Sequence, residues 1–170
     1  MTDRAGPPAF EIRPVTIDDL EPLVDIYLDT AVHHAAIDPD RFRVPSRADV
    51  AARLRPRVEG RGPRAEYVAA IVDDRMVGSA SMSIDDLPHP GSMAAQRRVA
   101  EFGVSVRSDW RRRGIGRALI EHLERWAADH GADEVMLEVS TANPDAIRLY
   151  RSMGYVDTGR TMRKPAAVER

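Results

Sequence analysis

Residues 97–106, RRVAEFGVSV, run directly into RSDWRRRGIGRALIEHLERWA, residues 107–127, and this junction constrains the fold more than any other part of the chain. In the first segment Ala100, Phe102, Val104 and Val106 alternate with Glu101, Gly103 and Ser105, the period of two that sends successive side chains to opposite faces of a strand. In the second, Ile115, Leu119, Leu123, Trp126 and Ala127 recur at helical spacing, and Gly131 supplies a stop. Between strand and helix lies an arginine-rich turn that ends in Gly114-x-Gly116. The first amides of a helix lack internal partners and sit at the positive end of its dipole, so such a junction suits an anion. Glycine lets the ligand approach the backbone.

The remaining segments supply further strands and helices. Residues 1–9 are polar, carry Pro7 and Pro8, and read as a mobile arm. FEIRPV predicts a first strand from Phe10. Thr16 and Asp19 form a capping-box pattern ahead of Leu20, Val24, Tyr27, Leu28 and Ala31, which predicts a helix from Ile17 to His33. Two prolines in AAIDPDRFRVPS break it, and Ser46 caps a second helix from Arg47 to Arg57. YVAAIV and MVGSASMSI flank an acidic turn as a hairpin, and DEVMLEVST predicts another strand. Asn143 and Pro144 cap and open a helix to Met153 that Gly154 ends, after which YVDTGRTMRK has room for a last strand or hairpin. The expected organisation is one domain over 10–164 with a short tail at 165–170.

Composition narrows the partners. With 25 basic and 27 acidic residues there is no overall basic field to draw in nucleic acid or an anionic membrane, so anion binding must be local. Cysteine is absent, which removes disulfides, thiolate metal sites and cysteine nucleophiles. No segment reaches the ~18 uninterrupted apolar residues of a membrane span, and the N-terminus has no signal-peptide core, so a cytoplasmic protein is expected. His33 and His34 are adjacent, while His89, His122 and His130 are isolated; none has metal-ligand spacing and no metal is expected.

Several owners compete for the glycine turn. A Walker-type loop needs Gly-Lys-[Ser/Thr], whereas Gly116 is followed by Arg117 and Ala118. A dinucleotide fingerprint needs a third glycine where Leu119 stands; Glu138 fits a ribose contact, but too few residues follow for the rest of a doubly wound sheet. Arg107, Arg111, Arg112, Arg113 and Arg117 read either as a phosphate-binding patch or as a solvated helix entry.

Arg111-x-x-Gly114-x-Gly116, followed downstream by Asn143-x-x-Ala146-x-x-Leu149-Tyr150-x-x-x-Gly154-Tyr155, resembles the N-acetyltransferases of the GNAT superfamily. The resemblance implies an α/β (α+β) three-layer fold: a mixed, mostly antiparallel sheet of six to seven strands, helices on both faces, and a splayed parallel strand pair holding the cofactor. It implies an enzyme that moves acetyl from acetyl-CoA directly to a primary amine through a ternary complex. The backbone from Arg112 through Gly114, Ile115 and Gly116 to Arg117 would hold the pyrophosphate, with the arginines, Arg111 and Arg113 included, adding charge. Val104, Ser105 and Val106 would pair with the pantetheine arm, and the Val106 N–H would stabilise the developing oxyanion.

By the same resemblance Asn143 contacts the pantetheine arm, caps its helix, or does both. Tyr150 is the general acid, against the alternative that it belongs to an apolar face with Ala146, Ile147 and Met153. Glu101 is the candidate base, against an ordinary edge carboxylate or a salt-bridge partner for Arg97 or Arg98; Glu138, Asp85 and Asp86 are substitutes. His33 and His34 read as solvated helix residues or as part of the acceptor wall. The amine acceptor is expected near residues 28–45, the loop from Asp85 to Met93, and the last strands. Two other readings stand beside the enzyme: a non-catalytic acyl-CoA-binding regulator and an arginine-patch nucleic-acid binder. No nucleic acid or membrane partner is expected, and a homodimer is left open.

Overall fold

The computed structural model describes residues 9–60, 62–87 and 92–159. Most of the N-terminal arm, His89 in the loop after residue 87, the second half of the expected last strand and the C-terminal tail lie outside the described residues. The chain divides into two compact units, Met1–Glu138 and Val139–Arg170. The first contains β1 (Glu11–Pro14), α1 (Leu20–Ile37), α2 (Arg47–Glu59), β2 (Ala65–Val72), β3 (Arg75–Leu87), β4 (Arg97–Val106), α3 (Ile115–Asp129) and β5 (Glu134–Met136). The second contains α4 (Pro144–Ser152).

The strands form one sheet in the order β1-β2-β3-β4-β5, with β1 to β4 antiparallel and β5 parallel to β4. This is the mixed, mostly antiparallel sheet expected, with five strands among the described residues rather than six or seven. The β2–β3 hairpin turns on Asp73 and Asp74, both at positive φ (47° and 60°), the backbone of a tight turn whose twist matches its strands. The sheet's two faces follow from the register. Val68, Ala80 and Val104 share one face with Gly78, where an added Cβ would sit 3.1 Å from Leu119 Cδ1 and 3.2 Å from Ile115 Cγ2, so this face carries α3. On the other face Tyr67 and Ala69 join Leu20, Leu23, Val24 and Ile26 of α1 and Val50, Leu54 and Val58 of α2 in one cluster.

Differences from the sequence reading have local causes. α1 continues past His33 to Ile37 and stops at Asp38, which precedes Pro39 and leaves the helical region (φ −150°, ψ 77°). α2 ends two residues later than expected, at Glu59. β5 keeps only Glu134–Met136 of the predicted DEVMLEVST strand, because pairing with β4 covers Val99–Glu101 alone. Residues 155–159 form no strand. Trp126 of the α3 stripe is only half-buried and stacks on His130 (centroids 4.2 Å apart). No helix among the described residues is long and apolar enough to cross a membrane.

The entry to α1 is fixed by a buried carboxylate. Asp19, 7% exposed, accepts both arms of the Arg13 guanidinium at 2.8 Å and the Thr16 N–H at 2.8 Å, tying β1 to the helix start. The Arg13 fork, aided by Thr16, holds its pKa at about 2, below the ordinary 3.8. A depressed carboxylate stabilises the fold above its unfolded pKa, and the contribution is lost as pH falls through the folded value. Asp19→Asn is therefore expected to lower unfolding free energy by roughly 2 kcal/mol at neutral pH, with the gap closing between about pH 4 and pH 2 in urea melts. A gap that stays constant across that window would show that ionisation of Asp19 is not the source.

Candidate functional site

The site begins where two parallel strands part. β4 and β5 pair from Val99↔Glu134 to Glu101↔Met136 and no further. The Arg107 N–H donates to the Val77 carbonyl at 3.0 Å, beside the Val106↔Gly78 pair. By antiparallel alternation this turns the amides and carbonyls of Val104 and Val106 away from β3, toward the edge that β5 has left. Ser105 points to the opposite face from Val104 and Val106, with Gly103 and Glu101.

Beyond Val106 a short 3-10 turn (Ser108–Trp110) leads to Arg112 at φ 63° and Gly114 at φ 82°. Gly114 is the N-cap of α3 and no side chain caps the helix; its first turn holds no acidic residue. The first intrahelical bond is Ala118 N–H to the Gly114 carbonyl at 3.0 Å, so the amides of Ile115 and Gly116, ahead of it, have no acceptor within the helix. Among the described residues, a Cβ on Gly114 would meet nothing within 4 Å, so the turn has room at this position. Ile115, 1% exposed, anchors the turn from below.

The arginine side chains are mostly engaged with the protein. Arg111 donates through Nε to the Val106 carbonyl (3.1 Å) and through Nη2 to Asp29 (3.4 Å). Arg113 donates to the Asp109 carbonyl (3.2 Å) and lies over the Trp110 ring, 4.7 Å from its centroid. Arg107 pairs with Asp109 (3.2 Å), and Arg117 approaches Glu121 (4.0 Å). Arg112 is exposed and, among the described residues, has no ion-pair partner. Asp29, on α1, also accepts the Ser108 N–H and hydroxyl, each at 2.8 Å. Sequence reasoning missed it: nothing near Asp29 distinguishes it from Asp25, and its partners stand 79 residues along the chain.

Glu101 is exposed, opposite Ser83 on one side and Met136 on the other. The basic neighbours considered for it are taken elsewhere: Arg97 approaches Glu134 (3.9 Å) and Arg98 bonds Asp86 (3.4 Å). Asp86 also pairs with Arg64 at 2.9 Å, which leaves Asp85 the exposed member of that acidic pair. His33 and His34 are partly buried rather than fully solvated, and burial, followed by the Arg111 charge for His33 and by His33 and Arg111 for His34, pushes both pKa values down. His34 meets Phe42 edge-on at 4.9 Å. Among the described residues no cluster of three or more His, Asp or Glu could hold a metal ion. A shallow depression lined by Asp86, Gln96, Arg97, Arg98, Gly131 and Asp133 lies at the other end of β4 and shares no residue with the turn.

In the second unit Asn143 Oδ1 accepts the Ala146 N–H at 3.1 Å and Pro144 opens α4, so the capping role of Asn143 is realised. Burial raises the Tyr150 pKa above 10, and its ring meets Tyr155 edge-on at 5.9 Å. Gly154 closes the helix at φ 95°.

Residues 27–155 match the model of the acetyltransferase (GNAT) family. The sequence is 33% identical to N-acetyltransferase 8 of Homo sapiens over 89 residues, 52% of this chain and 37% of that protein. It is 43% identical to the ribosomal protein bS18 alanine N-acetyltransferase of Escherichia coli (strain K12) over 54 residues, 32% of this chain and 36% of that protein. The chain thus spans little more than a third of the length of these curated relatives. Among solved structures, a mutant of the BH1408 protein from Bacillus halodurans superposes with a TM-score of 0.83 at 21% identity, covering 92% of this chain and 99% of that one. The aminoglycoside N-acetyltransferase AAC(6')-Iy, solved in complex with CoA, gives 0.63 at 18% identity, covering 97% and 98%. At these identities the structural likeness concerns the fold.

The left-handed backbone at Gly114 generates one expectation independent of any ligand. Gly114→Ala, with open space for its methyl but φ at 82°, should destabilise the protein by about 1–2 kcal/mol in denaturant unfolding. An unchanged midpoint would mean that the turn relaxes freely to negative φ.

Proposed function

This chain belongs to the acetyltransferase (GNAT) family, and we propose that it moves an acetyl group from acetyl-CoA directly to a primary amine of a small molecule, peptide or protein. The observation that carries this reading is the start of α3, which among the described residues has neither a side-chain cap nor an acidic residue in its first turn and which follows the part of β4 that lies beyond its pairing with β5. A pyrophosphate needs N–H donors and no nearby carboxylate, and the first turn of α3 offers that combination. In this reading the backbone of Arg112 to Arg117 holds the pyrophosphate, Arg112 adds an exposed charge, and Arg111, Arg113 and Arg117 act mainly through their backbone. The outward-turned amide and carbonyl of Val104 pair with the pantetheine arm, Ser105 lies on the opposite face, and the Val106 N–H, whose own carbonyl Arg111 holds, serves the thioester oxygen.

Asn143 keeps its capping role and contacts the pantetheine arm with what hydrogen-bonding capacity remains. Tyr150, kept protonated at neutral pH by burial, is the general acid for the departing thiolate. Glu101, exposed and free of the arginines that were its structural rivals, is the base that relieves the acceptor ammonium of a proton, directly or through water. The absence of cysteine, the commonest thioester-forming nucleophile, accords with direct transfer. A cytoplasmic location accords with a reaction that draws on acetyl-CoA.

Thermal shift with acetyl-CoA, NAD and a DNA oligomer in parallel tests the reading. Acetyl-CoA at a hundredfold excess over its Kd should add about 2.7 kcal/mol of stability, with no comparable gain from the other two. Silence toward acetyl-CoA sinks the proposal. Binding without CoA release across a broad amine panel would instead favour a non-catalytic acyl-CoA-binding protein. Gly114→Val and Gly116→Val should weaken acetyl-CoA binding more than Arg112→Ala does, because the backbone rather than one side chain holds the phosphates. Tyr150→Phe should lower kcat roughly a hundredfold while leaving acetyl-CoA affinity nearly intact, and Glu101→Gln should do the same with a shifted pH profile. Unchanged turnover in Tyr150→Phe returns that residue to a packing role.

A further inference from the structure

The bonds around Asp29 join α1 to two residues of the turn between β4 and α3, Ser108 and Arg111. The carboxylate accepts the Ser108 N–H through Oδ2 and the Ser108 hydroxyl through Oδ1, each at 2.8 Å. Ser108 is the first residue of the turn that follows β4, so Asp29 takes up a donor that the sheet has just released. The same Oδ2 faces Arg111 Nη2 at 3.4 Å, and Arg111 Nε holds the Val106 carbonyl at 3.1 Å. Asp29 and Arg111 are about two-thirds buried (side-chain exposure 32% and 30%), so solvent competes only in part for these bonds. The short Ser108 bonds carry most of the attraction, and the longer Arg111 contact mainly sets direction.

We propose that Asp29 is a positioning residue for acyl-CoA: through Ser108 it fixes the turn that presents the α3 amides, and through Arg111 it fixes the peptide at Val106. This inference rests on the acetyl-CoA reading of the turn and extends it to a residue on a different element. Arg111 is then a positioning residue as well, its guanidinium directed at the protein rather than at the phosphates. The arrangement explains why a basic residue at the start of the glycine motif is turned inward. It also explains how a turn containing two positive-φ residues, Arg112 and Gly114, keeps one conformation without a capping side chain of its own. His33 lies one helical turn after Asp29 and feels both Asp29 and Arg111, so the α1 stretch that positions the turn also lies next to a candidate acceptor-side residue.

Calorimetric titration with CoA, without acceptor, separates this inference from its parent. If the wild-type protein binds no CoA, the acetyl-CoA reading itself fails. Given wild-type binding, Asp29→Ala should weaken CoA by about tenfold or more, the effect of one or two charge-assisted hydrogen bonds. Asp29→Asn, which keeps the shape and an acceptor for Ser108 but loses the charge facing Arg111, should lower kcat more than it weakens CoA. The control Asp25→Ala, which removes an exposed pair with Arg47 one turn earlier on α1, should leave both unchanged. Asp29→Ala and Ser108→Ala should be non-additive in a double-mutant cycle on CoA affinity. CoA affinity within twofold of wild type in folded Asp29→Ala and Asp29→Asn, or full additivity with Ser108→Ala, overturns the proposal.

Discussion

Ile115 and Leu119 lie against the bare backbone of Gly78, with the Ser105 carbonyl 3.2 Å from where a Cβ would stand. Because no side chain intervenes, the first turn of α3 sits directly on the sheet, beside the last residues of β4. Ile115, Leu119, Ile120 and Leu123 are each at most 1% exposed, and burying such a side chain is worth roughly 1.5–3 kcal/mol, so the helix has little freedom to slide. The position of its N-terminus, and of the amides that project from it, is therefore a packing result. A methyl group at Gly78 would have to displace the helix or the strand that the site needs side by side.

Against that fixed helix end, the charges of the turn are arranged inward. Five arginines between residues 107 and 117 suggest a phosphate patch, yet four of them meet Asp109, Asp29, Trp110 or Glu121. Half-exposed pairs of this kind contribute little stability, but they do direct side chains. What the turn presents outward is a set of backbone donors with two exposed arginines, Arg112 and Arg113, the second lying over the Trp110 ring. A patch for nucleic acid would call for several outward cations along a face, and the pairing turns Arg107 and Arg111 toward Asp109 and Asp29 instead.

The parts legible in the sequence were those set by local rules. The alternation of β4, the stripe of α3 apart from Trp126, the Ser46 and Asn143 caps and the glycine stops at Gly131 and Gly154 each depend on residues within a turn or two, and each appears as read. The Gly114 turn was legible for the same reason. α1 runs four residues beyond the expected His33, because nothing in Ala35–Ile37 breaks a helix before Pro39 forbids it. The extent of β5 was not legible, because alternation records a two-sided environment and says nothing about whether a neighbouring strand keeps pace. Asp29 was hidden for a related reason: its role exists only once the fold brings α1 to the end of β4.

The short β5 and the open edge of β4 are two sides of one constraint. Asp133 pins the start of β5 by exchanging bonds with Arg98 at 2.8 and 2.7 Å, and the strands then pair for only three residues. A β5 that followed β4 to Val106 would satisfy the outward amides of Val104 and Val106, and would close the place where an extended, amide-bearing ligand can lie. Unpaired strand edges are ordinarily a liability, since any other strand can add to them. Here the edge ends at a helix N-terminus, so a ligand suited to it must combine peptide-like amides with an anion at one end. Acyl-coenzyme A has that order of groups, with amides in its pantetheine arm and a pyrophosphate beyond. A bare nucleotide offers the anion without the amides, and a peptide the amides without the anion.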